Sequence, residues 1–104
     1  MAGGGFVSGW LIGVLVELPG EPAPIRHYYG VGFEDRAKSE WMALDAGQLI
    51  GRIASSPYKG QEPVQMLGHL TPVRMKTLGL KPGEVRALGP NWPRRWIEVT
   101  SPPQ

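Results

Sequence analysis

His27 and His69 are the only histidines in the chain, so any imidazole chemistry, whether general acid–base work or metal ligation, must use one of them. Neither stands in a His-x-x-x-His pair or beside an acidic cluster with metal-ligand spacing. A nucleophilic set can be drawn from Ser55 or Ser56, His69 and Asp45, but no nucleophile-elbow motif accompanies it. Cysteine is absent, which removes thiol nucleophiles, thiolate zinc sites and disulfides, and fits a reducing cytoplasm. The carboxylates Glu34, Asp35 and Glu40 gather at the start of a predicted helix, where capping and the helix dipole account for them. These residues give no reason to expect an enzyme, a cofactor or a metal.

Gly30-Val31-Gly32 lies between a predicted strand and a predicted helix, where a phosphate-binding loop would sit. The dinucleotide pattern needs a third glycine at position 35, and this chain has Asp35 there. Glu34 and Asp35 place the protein's own negative charge where a phosphate would bind. The two glycines are therefore read as points of close packing in the sheet.

Charge is unevenly distributed. Residues 1–51 carry three basic and six acidic side chains, whereas residues 52–104 carry eight basic and three acidic. The basic half includes Arg74 and Lys76, then Lys81 and Arg86, then the run Trp92-Pro93-Arg94-Arg95-Trp96. Arginines interleaved with tryptophans can hold phosphates and stack on bases. The same composition also serves to cover a core edge, with arginine stems on aromatic faces. Arg74, Lys76, Trp92, Arg94, Arg95 and Trp96 are accordingly the candidate binding residues. The net charge of +2 speaks against a dedicated duplex-DNA binder.

The elements that must position these groups follow from periodicity. Phe6 to Leu18 alternates a bulky face (Phe6, Trp10, Ile12, Val14, Val16) with one interrupted by Gly9 and Gly13, and Arg26 to Glu34 repeats the arrangement with Gly30 and Gly32. Period-two alternation predicts two strands that form a hairpin around the proline-rich Pro19–Pro24 loop. The first run is too short for a membrane-spanning helix and has no positive flank before it. Gly9 and Gly13 are expected to mark close approach or a bulge.

Asp35 is a candidate cap for a helix from Arg36 to about Ile50, with Gly51 as its stop. Ala37, Trp41, Leu44 and Gln48 share one stripe of that helix, which assigns Trp41 to the core, where truncation to alanine would cost about 3–5 kcal/mol. Ile53 to Pro63 reads as mostly loop, broken by Ser55, Ser56, Pro57, Gly60 and Pro63. Val64 to Leu70 is a predicted strand, and Thr71, Pro72 and Gly79 punctuate a short second helix, with Leu80 returning onto Met75. Lys81-Pro82-Gly83-Glu84 suits a type II turn. Short strands at Val85–Leu88 and Arg95–Thr100 complete the order.

With 104 residues, the expectation is one α+β domain with tails at about 1–5 and 101–104. A mainly antiparallel sheet of four or five strands, in the order ββαβαβ with an extra short strand, would carry the longer helix on one face. The function expected of such a chain is a non-catalytic module working through protein contacts, including self-association as a homodimer. The alternatives are a nucleic-acid-associated protein using the basic half, and a small enzyme or ligand-binding domain whose site comes together only on folding. No membrane partner is expected, and the sequence names no small-molecule ligand.

Overall fold

The computed structural model describes residues 7–94 and Trp96. Its fold is the expected α+β class, a mainly antiparallel five-stranded sheet with two helices. The strand β1 (Gly9–Glu17) is central and β2 (Ile25–Val31) lies along one side of it, in register from Trp10 opposite Val31 to Val16 opposite Ile25. Two strands share the other side of β1. The first part pairs with β4 (Val64–Leu70), and its last two residues pair with β3 (Arg52–Ile53). The outer edge of β2 carries β5 (Val85–Gly89). A register shift between Leu11 and Ile12 leaves Leu67 of β4 as an extra residue, a bulge.

The helix α1 (Arg36–Gln48) starts as its sequence dictates. The Asp35 carboxylate accepts from the backbone N–H of Lys38 at 3.0 Å, and Arg36 pairs with Glu40 one turn on. Its buried face, however, is Ser39, Ala43 and Gly47, and Trp41 is 66% exposed. The assignment of Trp41 to the core is therefore corrected. Small residues at i, i+4 and i+8 bring the helix axis close to the sheet. A Cβ on Gly47 would lie 3.1 Å from Ile53 and 3.2 Å from Val14. An indole in that seam would hold the helix off the strands. Ser39, fully buried, is satisfied by donating its hydroxyl to the Phe33 carbonyl at 3.0 Å.

Gly51 does not supply the expected helix stop, since α1 already ends at Gln48 with Leu49 as its cap. A side chain at Gly51 would meet the Glu17 carbonyl at 2.6 Å and Val16 at 2.7 Å, so its missing Cβ lets the chain close onto β1. That closure produces β3, which straddles the start of the stretch from Ile53 read from sequence as mostly loop. The excursion that follows is itself a small hairpin: Tyr58 and Gln61 exchange both backbone hydrogen bonds, at 2.9 and 3.0 Å, around Lys59 and Gly60, both at positive φ.

The core has two parts, one on each face of the sheet. Against α1 lie Ile12, Val14, Val16, Tyr29 and Val31 with Ala43. Against the second helix, α2 (Pro72–Leu78), lie Leu11, Leu70, Met75, Leu80 and Trp96. The punctuation of α2 is as expected. The Thr71 hydroxyl accepts from the Arg74 N–H at 3.1 Å, Gly79 is left-handed at φ 75°, and the Leu80 N–H returns to the Met75 carbonyl at 2.9 Å. The turn that follows also forms, with Gly83 at φ 80° and the Glu84 N–H bonded to the Lys81 carbonyl. The anticipated strand at 95–100 lies outside the described residues apart from Trp96, which is helical rather than extended. Both expected tails lie outside them as well. No helix among the described residues is long and apolar enough to cross a membrane.

Candidate functional site

The candidate binding residues do not form one exposed face. Trp96 is only 8% exposed and is wedged across β2, where a Cβ on Gly30 would lie 2.6 Å from the indole Cζ3. It is thus a core residue and offers no open ring for a base. Trp92, by contrast, is 54% exposed and leans edge-on against Tyr28, with ring centroids 5.7 Å apart. Arg94, helical like Trp96, is exposed. Arg74 is half-buried and Lys76 exposed on α2, and Arg95 lies outside the described residues.

Arg86, another cation of the basic half, is engaged by the fold. Its guanidinium donates to the carbonyls of Leu78 and Gly79, at 3.1 and 2.7 Å, at the end of α2 where backbone acceptors would otherwise be orphaned. The same guanidinium holds Glu84 at 3.2 Å. The Lys81 backbone N–H, followed by Arg86, draws the Glu84 carboxyl below its usual pKa.

Lys76 and Lys81 stand at the rim of a cleft of about 420 Å³, whose floor is Met75 and Leu80 and whose walls include Pro72 and Pro82. Ser8, Met75 and Pro82 are shared with a second, broader cleft of about 660 Å³ that reaches Phe33, Asp35 and Lys38 at the start of α1. No sequence motif marked either cleft. The signal was present only as two lysines spaced around the Gly79 and Pro82 breakers.

The outward side of α1 forms a third feature. Trp41, Ala37 and Leu44 join Val64 of β4 and Glu40 around a cleft of about 240 Å³. Just beyond the helix, Leu49 is 87% exposed and Ile50 is also open. Sequence reasoning missed this surface because it placed Ala37 and Trp41 inward along with Leu44, and of these three only Leu44 packs against the core. The periodic small residues Ser39, Ala43 and Gly47 were the available clue.

The histidines are kept apart. His27 pairs across with Val14 and His69 with Trp10, on opposite flanks of β1 and four residues apart along it, a separation of roughly 15 Å from strand geometry. Ser55, Ser56 and Asp45 are exposed, on the excursion and on α1. Among the described residues no group of three His, Asp or Glu side chains is placed to hold a metal. Gly30 and Gly32 serve close approach, by Trp96 and by the Lys81 carbonyl, and Asp35 occupies the end of α1 as its cap.

Across the sheet face opposite α1, Arg26 of β2 lies over Gly13 and donates through Nη2 to Gln65 Oε1 of β4, strapping three strands together. Its Nε, like His27 Nε2, is buried with no hydrogen-bond partner among the described residues.

Burial of the His27 ring lowers its pKa from 6.5. The folded state then binds a proton less readily than the unfolded chain, so stability rises with pH across that interval. On acidification, stability should decline as pH passes below about 6.5 and level off below the depressed folded-state value. Urea denaturation at several pH values should show that His27→Gln removes part of this decline, and an identical pH dependence in the variant would contradict it.

Comparison with known proteins gave no match to this chain from any family model, any curated protein or any solved structure.

Proposed function

We propose that this chain is a non-catalytic α+β module that works through protein contacts, with a second copy of itself as the partner. The observation that carries this reading is the outward side of α1, where a largely exposed Trp41 forms one wall of a cleft lined also by Ala37, Leu44, Val64 and, at its polar side, Glu40. A knob next to a hole is the arrangement that a two-fold contact needs, since each copy supplies to the other what it receives. Exposed tryptophans near apolar pockets are also the residues that dominate interface energetics. Leu49 and Ile50, just beyond the helix, are further exposed apolar side chains.

Sedimentation velocity and light scattering are expected to find a dimer that survives moderate salt, because apolar burial is not screened as exposed charge is. Trp41→Glu should convert it to a monomer while leaving the circular dichroism spectrum unchanged. A monomeric parent protein, or a dimer indifferent to Trp41→Glu, would overturn the reading.

Exposed Trp92 beside Arg94 supports a second reading, association with single-stranded nucleic acid. Labelled oligonucleotide titrated at two salt concentrations in the same samples separates the two. Affinity that falls steeply with salt and is lost in Trp92→Ala would favour this alternative.

A further inference from the structure

We propose that the cleft between α2 and the Leu80–Gly83 turn binds an apolar monocarboxylate, a medium-length acyl chain ended by one carboxylate. The chain would lie on Met75 and Leu80 between Pro72 and Pro82, and the carboxylate would sit between Lys76 and Lys81. Three observations support this chemistry.

The floor is apolar, since Met75 and Leu80 belong to the core on that side of the sheet and both line the cleft, which opens to solvent. The walls are stiff. Two prolines and a turn fixed by the Glu84 N–H to Lys81 carbonyl hydrogen bond leave a ligand little to order on binding.

The charge is one-sided as well. Between Thr71 and Arg86 the chain carries four cations and a single carboxylate, Glu84. That carboxylate is already bonded to Arg86 and to the Lys81 backbone. The Leu78 and Gly79 carbonyls, which would repel an anion at the end of α2, are covered by Arg86. Among the described residues no close ion pair forms at Lys76, and the Lys81 ammonium exerts only a weaker electrostatic pull on Glu84, behind that of Arg86. The volume of about 420 Å³ lies within the range of small-molecule sites, where a mostly apolar lining carries a few polar groups that fix orientation.

The test is titration of the full-length protein with sodium octanoate, followed by amide resonances in two-dimensional NMR. Saturable shifts are expected at Met75–Gly83 and Ser8. Octanol, with the same chain and no charge, should bind about tenfold more weakly or worse, as should octanoate to the Lys76→Gln, Lys81→Gln double variant, the loss expected for a charge-assisted hydrogen bond. Inorganic phosphate should produce no saturable shift there. Both lysines are exposed, so the double variant retains the fold, and its own spectrum verifies this. The proposal is overturned if octanoate gives no saturable shift at these residues, if octanol matches it, or if phosphate saturates the site.

Discussion

Trp96→Ala is expected to lower the unfolding free energy by about 3–5 kcal/mol, whereas Trp41→Ala should change it by less than about 0.5 kcal/mol. The contrast follows from position alone. Trp96 fills the space above Gly30 and completes the cluster of Leu11, Leu70, Met75 and Leu80, where its removal leaves a cavity between two elements that cannot collapse freely. Trp41 projects from α1 into solvent and gives up little contact in the monomer. Urea denaturation of the two variants, at concentrations low enough to keep the protein monomeric, measures both numbers. Equal losses would mean that Trp41 is buried, or that Trp96 is not.

Gly32→Ala is expected to cost about 3 kcal/mol, more than methyl groups added in open space elsewhere on the fold. A Cβ at this position would run into the backbone carbonyl of Lys81, which has no rotamer through which to move away. The two segments are also tied together, with the Gly32 N–H bonded to the Glu84 carbonyl at 2.8 Å and the Gly83 N–H returning to the Gly32 carbonyl. Relief therefore requires moving the end of β2 away from the whole turn. A drop in Tm of more than about 10 °C is the expected result for a domain of this size. A loss below about 1 kcal/mol would show that this junction yields easily.

How far the sequence could be read depends on whether the deciding physics is local. The second helix was legible to the residue, because Thr71, Pro72, Gly79 and Leu80 each act on their own few neighbours. So was β4, whose alternation stands between two clear breakers. The orientation of α1 was not legible in the same way. Apolar residues surround that helix, and the contact distance to the sheet, set by Ser39, Ala43 and Gly47, decides which of them turn inward. The strand β3 is two residues long and exists because Gly51 lets the chain reach β1, a long-range contact that no local pattern announces. Of the candidate binding residues, Trp96 shows the same limit most plainly. Its role depends on an empty position on a distant strand, and Gly30, alternating with Gly32 just past the end of β2, was the only trace of something crossing there. Both lysine-rimmed and tryptophan-flanked clefts are likewise products of assembly, drawing residues from separate elements.

The excursion between β3 and β4 leaves and rejoins the sheet at one residue. The Ala54 N–H bonds to the Leu15 carbonyl at 3.0 Å, and the Leu15 N–H bonds to the Pro63 carbonyl at 2.8 Å. The intervening stretch is thus clipped at both ends to a single point on the central strand, and its length is decoupled from the register on either side. Extending a closed segment is entropically cheap, with each doubling costing about 0.6 kcal/mol. The tip at Lys59-Gly60 is therefore a ready socket, where a foreign peptide or a spectroscopic label can be spliced in without disturbing either face of the sheet.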